Sequence, residues 1–227
     1  MSDNQIKPVL RKIFLPVLMV IIIWVIKSAE ALFHYDLAFL GIYPLKVKGL
    51  IGLITAPLIH ADFSHLSANT IPLLVMGSAL FYFYDDIAYT IFFLIYFTTN
   101  LCVWLFAREA YHIGASGLIY GLAFFLFFSG MFRKNTRLAA LSLLVIFLYG
   151  SLVWGIIPNF YPDKNISWES HLMGAVSGIV FAVYYRNKGP KKDEYQWEEE
   201  EEDTVDHDAD YKISENAEEP PDRKLWN

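Results

Sequence analysis

The chain has 227 residues, of which 55% are hydrophobic, 17% aromatic and only 19% charged. Soluble domains carry about 25% charged residues, so this composition excludes a disordered protein and argues against a soluble single domain. The net charge of −6 conceals two materials: residues 193–227 hold 15 acids and 3 bases, while residues 1–192 hold 9 acids and 15 bases.

Six hydrophobic segments follow one another: Ile13–Phe33, Leu66–Tyr84, Ile87–Ala107, Ile113–Phe132, Leu138–Ile157 and roughly His171–Tyr185. A helix needs about 20 apolar residues to cross the hydrocarbon core. The third, fourth and fifth segments meet that length cleanly. The first ends with two charges, Lys27 and Glu30, and the sixth is short and must borrow residues upstream. Lipid does not tolerate unpaired backbone, so these segments are expected to be helices. The expected fold is all-α: a polytopic membrane protein with a six-transmembrane-helix bundle. Residues 1–12 read as a cytoplasmic N-terminal segment, 13–187 as the six-helix domain and 188–227 as an acidic disordered cytoplasmic tail.

The first segment follows Lys7, Arg11 and Lys12, like a signal peptide, but no small-residue cleavage site follows it, so it is expected to stay as a helix. Orientation comes from bases in short loops. One side holds ten: Lys7, Arg11, Lys12, Arg133, Lys134, Arg137, Arg186, Lys188, Lys191 and Lys192. The other holds four: Lys46, Lys48, Arg108 and Lys164. Both termini are therefore expected in the cytoplasm. The outer connection 34–65 is too apolar for free solvent and is expected to lie in the interface beside the helices. Cys102 cannot form an internal disulfide and is expected to be a buried, inert thiol. The tail reads either as a solubilising end or as a segment for a basic partner, anchored by Tyr195, Trp197, Tyr211 and Trp226.

Polar groups in lipid need a reason. No Asp, Glu, Lys or Arg lies in the middle of a segment, which argues against an ion-coupled pump. The remaining polar set is Ser116, His171, His65, Asn69 and Asn100. Ser116 lies in Gly114-Ala-Ser-Gly, in the first turn of the fourth segment, where free backbone amides could receive an anion. Gly114 and Gly117 permit close approach, although Gly117 and Gly121 also have the spacing of a plain helix–helix contact. His171, Gly174 and Gly178 share one face of the sixth segment. The start of a helix disfavours an imidazolium, which suits a general base; the alternative is a buried, hydrogen-bonded histidine. His65 and Asn69 stack at i, i+4 on the second segment and could both donate to one oxyanion, or could simply cap and pack. His60 precedes them, and a hydrogen-bonding role in the outer loop is expected for it. The spacing is not that of a metal site, and neither a metal nor a cofactor is expected. Together, a serine, a histidine and a donor pair at helix starts on one side are the minimum kit for acyl transfer.

With these residues the chain resembles the rhomboid intramembrane serine proteases, over about residues 10–187. Gly114-Ala-Ser-Gly is similar to that family's Gly-x-Ser-Gly, His60-x4-His65-x3-Asn69 to its second-helix pattern, and His171 with Gly174 and Gly178 to its sixth helix. Tyr120 matches an aromatic four residues after the nucleophile, on which the catalytic imidazole packs. The resemblance implies a Ser116–His171 dyad without an acid partner, with Glu169 expected to face the loop. It implies an oxyanion hole from the Ser116 amide, His65 and Asn69, a water-accessible outward cavity, and transmembrane protein substrates with helix-destabilising residues and a small side chain before the cut. The family's frequent Trp-Arg pair is missing from 34–58. The six segments look like the basic form, most often found in a bacterial inner membrane. Partners are then membrane-protein substrates and lipid rather than nucleic acid. A catalytically inactive scaffold that binds membrane helices remains the alternative. A transporter is disfavoured by the missing buried charges.

Overall fold

The computed structural model describes residues 3–134, 136–148 and 167–189. Among these, regular structure is helical, with six long helices: α1 (Asp3–Phe33), α2 (Phe63–Phe83), α3 (Ala88–Phe106), α4 (Ser116–Arg133), α5 (Thr136–Leu148) and α6 (Trp168–Tyr184). Four stretches are long and apolar enough to cross a membrane: Lys12–Phe33, Phe63–Phe83, Ala88–Phe106 and Ser116–Arg133. The C-terminal part of the fifth predicted segment, 149–157, and the acidic tail lie outside the described residues. The sixth segment does begin upstream of its apolar run, at Trp168, where the Ser167 hydroxyl caps it by accepting from the Ser170 amide.

The fourth segment starts later than its hydropathy predicts, at Ser116 rather than Ile113. Two local constraints hold residues 112–114 out of the helix. His112 pairs with Ile42 through two backbone hydrogen bonds of 2.9 Å. Gly114 sits at φ +107°, in the region open to glycine. Ser116 is therefore the first helical residue.

Central to the body is α4, with twelve of its 18 residues buried, while α1 exposes Phe14, Ile21 and Val25 to the surroundings. The α4–α6 interface is the most extensive between helices. Its cause is glycine. A Cβ on Gly174 would collide with the Gly117 carbonyl, and one on Gly178 with the Gly121 carbonyl. The two backbones touch directly, as small residues allow inside membranes.

The outer connection winds through short turns at Ala38–Leu40, Val47–Gly49, Gly52–Thr55 and Ala56–Leu58. It hangs on the outer half of α3. The Tyr96 hydroxyl donates to the Ile54 carbonyl, the Asn100 amide to the Leu53 carbonyl at 3.1 Å, and the Trp104 indole to the Lys46 carbonyl at 3.1 Å. These three residues are spaced by four on one helical face, and Asn100 thereby has a structural reason to stand in an apolar helix. The loop's other edge rests on α1. Lys27 bonds the Ala61 carbonyl at 2.8 Å and pairs with Glu30 at 3.0 Å, while Glu30 accepts from the Leu37 amide at 2.8 Å. The two charges that interrupt the first segment thus brace the loop. Leu45, Val47, Ile51 and Ile54 point outward. Cys102, expected to be buried, is only partly so, because it lies on the outer flank of α3 beside exposed Leu101.

Candidate active site

The starts of α2, α4 and α6 meet at one end of the bundle. Ser116 opens α4 and His171 stands in the first turn of α6, and both are 9% exposed. Their side chains are in hydrogen-bonding contact, Ser116 Oγ to His171 Nε2 at 2.9 Å. The Tyr120 ring lies flat on the imidazole, with centroids 4.3 Å apart and planes 9° from parallel. One turn after Ser116, this ring limits rotation of the imidazole and leaves Nε2 aimed at the hydroxyl.

The backbone beneath the contact is set by glycine. Below the dyad, a Cβ on Gly117 would lie 3.1 Å from the Ser170 carbonyl. Gly114 matters for a different reason. A Cβ there would lie 2.7 Å from His65 Cε1 and 2.9 Å from its Nε2, so the His65 ring rests on the main chain two residues before Ser116. The Gly114 amide donates to the Ala56 carbonyl at 2.9 Å, and the segment that leads to Ser116 is tied to the 34–62 connection at both His112 and Gly114.

His65 is fixed from below. Asp62 caps α2 by accepting from the His65 amide at 2.7 Å. Asn69 is buried, and its amide donates to the His65 carbonyl at 3.0 Å. That bond occupies one of its two N–H donors.

His60 is held chiefly by packing. It is 1% exposed, and neither ring nitrogen has a hydrogen-bond partner among the described residues. It packs edge-on against His65, with ring centroids 5.0 Å apart. Burial, and secondarily the neighbouring His65, push its pKa down to about 3. The Leu58 backbone opposes the shift. His60 is a packed imidazole whose ring lies against His65.

Glu169 faces the loop between α3 and α4 and is nevertheless only 4% exposed. Arg108 Nη1 reaches both of its oxygens, at 3.0 and 3.2 Å. Its burial follows from that pairing, because an unpaired carboxylate would stay in water. Beside it, His112 Nε2 lies 2.9 Å from the Arg108 carbonyl and Nδ1 2.6 Å from Ser167 Oγ. Burial above all holds the His112 pKa below its ordinary value. Sequence reasoning missed these residues, having counted Arg108 only as an outer base. The visible signal was Ser167-Trp-Glu-Ser before His171, a helix-capping pattern with its acid in the first turn. Among the described residues no group of His, Cys, Asp or Glu could hold a metal ion.

A family model, the Rhomboid domain, matches residues 48–188. An uncharacterized protein of Mycobacterium tuberculosis strain H37Rv is 40% identical over 153 residues, covering 63% of this chain and 62% of the relative. An uncharacterized protein of Mycobacterium leprae is 34% identical over 176 residues, covering 71% and 66%. A protein of Acanthamoeba polyphaga mimivirus with a provisional rhomboid name is 30% identical over 137 residues, covering 56% and 70%. The match thus spans less than two thirds of the length of the mycobacterial relatives. Given the domain match over most of the body and the long apolar helices, this chain belongs to the rhomboid family and is an integral, polytopic helical membrane protein.

Proposed function

We propose that the protein is an intramembrane serine endopeptidase that hydrolyses peptide bonds in or near transmembrane helices of membrane-protein substrates. One observation carries the reading: Ser116 Oγ and His171 Nε2 are 2.9 Å apart at the meeting of two helix starts, with the imidazole stacked on Tyr120. A hydroxyl becomes a useful nucleophile when a base within hydrogen-bond reach takes its proton.

In this reading Ser116 Oγ attacks the scissile carbonyl while His171 Nε2 accepts the hydroxyl proton. The carbonyl oxygen becomes an oxyanion. The Ser116 amide, one of the helix-start N–H groups without an intrahelical partner, His65 and the second N–H of Asn69 are its proposed donors. When the C–N bond breaks, His171 returns the proton to the leaving amine and Ser116 holds the acyl group. Water then attacks, giving its proton to His171, and as the ester's C–O bond breaks His171 passes that proton to Ser116 Oγ, which frees the acid and restores the hydroxyl. Oxyanion donors of this type are each worth about 3–4 kcal/mol. The excess of bases on the α4–α5 turn and after α6 supports an orientation with both termini in the cytoplasm and the site facing outward. A bacterial inner membrane is the proposed location.

The test is labelling of the purified protein by a serine-reactive fluorophosphonate, paired with cleavage of a transmembrane substrate. Wild type is expected to label and cleave, and Ser116→Ala and His171→Ala are expected to do neither while remaining folded. Labelling of Ser116→Ala equal to wild type removes the protease reading and leaves an inactive helix-binding scaffold.

A further inference from the structure

Resting on the assignment of Ser116 and His171 as the dyad, we propose that a polar clasp outside the site sets the spacing between them. The clasp consists of Arg108 with Glu169 and His112 with Ser167, and Glu169 and His112 are positioning residues for the reaction.

The need for a clasp follows from where the dyad stands. From Gly117 inward, α4 and α6 are locked backbone to backbone at Gly117, Gly121, Gly174 and Gly178. The reacting groups sit at the outermost edge of that lock, in the first turns of both helices, where backbone groups lack intrahelical partners and ends fray. Contacts outside the helices are what can hold these turns from the other side.

The clasp joins the two parts that carry the reacting groups. Arg108 and His112 belong to the segment leading to Ser116. Ser167 and Glu169 lie four and two residues before His171. Its hydrogen bonds assign themselves. The Arg108 carbonyl can only accept, so His112 Nε2 carries the proton and donates to it at 2.9 Å. Nδ1 is then an acceptor and receives the hydrogen bond of the Ser167 hydroxyl at 2.6 Å. Burial keeps the imidazole neutral, which preserves that role. Ser167 Oγ in turn accepts from the Ser170 amide at 3.3 Å and from the Ser170 hydroxyl at 2.7 Å. Arg108 grips both oxygens of Glu169. The first turn of α6 is thus attached at two points, residues 167 and 169, which fixes both its height and its rotation. Rotation of that turn would swing the His171 ring away from Ser116. Glu169 reaches Arg108 and acts on the dyad only through the backbone.

The experiment compares wild type with Glu169→Gln, which keeps the shape and removes the charge, Glu169→Asp, which keeps the charge, and Ser167→Ala, which cuts the His112 link. The readouts are the rate of fluorophosphonate labelling, kcat and KM on a transmembrane substrate, and the unfolding temperature. Displacing a reacting group by about 1 Å can cost about a hundredfold in rate. Glu169→Gln and Ser167→Ala are expected to lower labelling and kcat by about ten- to a hundredfold with KM unchanged, and Glu169→Asp is expected to retain more of kcat than Glu169→Gln. Wild-type kcat in both Glu169→Gln and Ser167→Ala overturns the proposal. So does a loss that follows the unfolding temperature alone across the three variants. Wild type that neither labels nor cleaves overturns the dyad assignment instead, which separates the two failures.

Discussion

Gly114 satisfies two demands that no other residue meets together. Its φ of +107° lies where a side chain is strained, and the space above its Cα is already filled by the His65 ring. Gly114→Ala is therefore expected to push His65 off the segment leading to the proposed nucleophile and lower kcat by more than tenfold in a protein that still folds. Cleavage kinetics alongside the unfolding temperature check this. Asn69→Ala removes one proposed oxyanion donor and is expected to reduce kcat by about 10²–10³ without abolishing it; cleavage at the wild-type rate would remove Asn69 from the oxyanion hole. His60 predicts a pH effect on stability. Folded, it resists protonation down to about pH 3, whereas the unfolded chain takes that proton near pH 6.5. The unfolded state binds more protons in between, so stability falls as pH drops from about 6.5 towards 3. Thermal unfolding of wild type and His60→Phe between pH 7 and 4 is expected to show a shallower acid loss in the variant. The pairing of Ser116 with His171 was legible in the residues because chemistry and family pattern point the same way. The burial of His60 was not legible, because its pattern shows a histidine near a site and only packing shows how deeply the ring is enclosed.

At the scale of elements, the contact between α4 and α6 decides the geometry. Their glycines were legible as a close-packing stripe. Which backbone groups they would meet was not, because that depends on the relative height of two helices separated by more than thirty residues. A methyl group on Gly174 has nowhere to go but the Gly117 carbonyl. Gly174→Ala is expected to cost about 1–3 kcal/mol through overpacking and to lose activity beyond that cost, since the same shift parts Ser116 from His171. Unfolding and cleavage measured on one preparation separate the two effects. Element ends were less legible. The fourth segment loses its first three residues to an extended pairing with Ile42 and to the Gly114 turn, contacts whose partners lie in a loop far back in the chain. Hydropathy sees apolar side chains at Ile113 and Ala115 and has no means of seeing those bonds.

For the whole molecule, charge and hydropathy made the helical membrane fold legible early, because each spanning segment must satisfy its own backbone in lipid. The outer connection was legible only as too apolar for water. Its supports were hidden, since Tyr96 and Trp104 read as ordinary residues of an apolar helix, and Asn100 as a polar residue without a stated role, until the loop carbonyls they serve are placed. The acidic end, residues 193–227, carries none of the proposed site. Its deletion is expected to leave cleavage of a transmembrane substrate unchanged, as compared with full-length protein in the same membranes, and loss of cleavage would assign the tail a part in activity.

The three bonds from α3 to the outer connection also bear on how the protein behaves away from its membrane. Each carbonyl they hold is anchored to protein and not to a lipid headgroup. The connection therefore carries its own frame when the bilayer is exchanged for a detergent micelle. What the micelle must still supply is cover for the outward side chains of Leu45, Val47, Ile51 and Ile54, so the choice of amphiphile will govern solubility of the purified protein more than it governs the shape of the rim above Ser116.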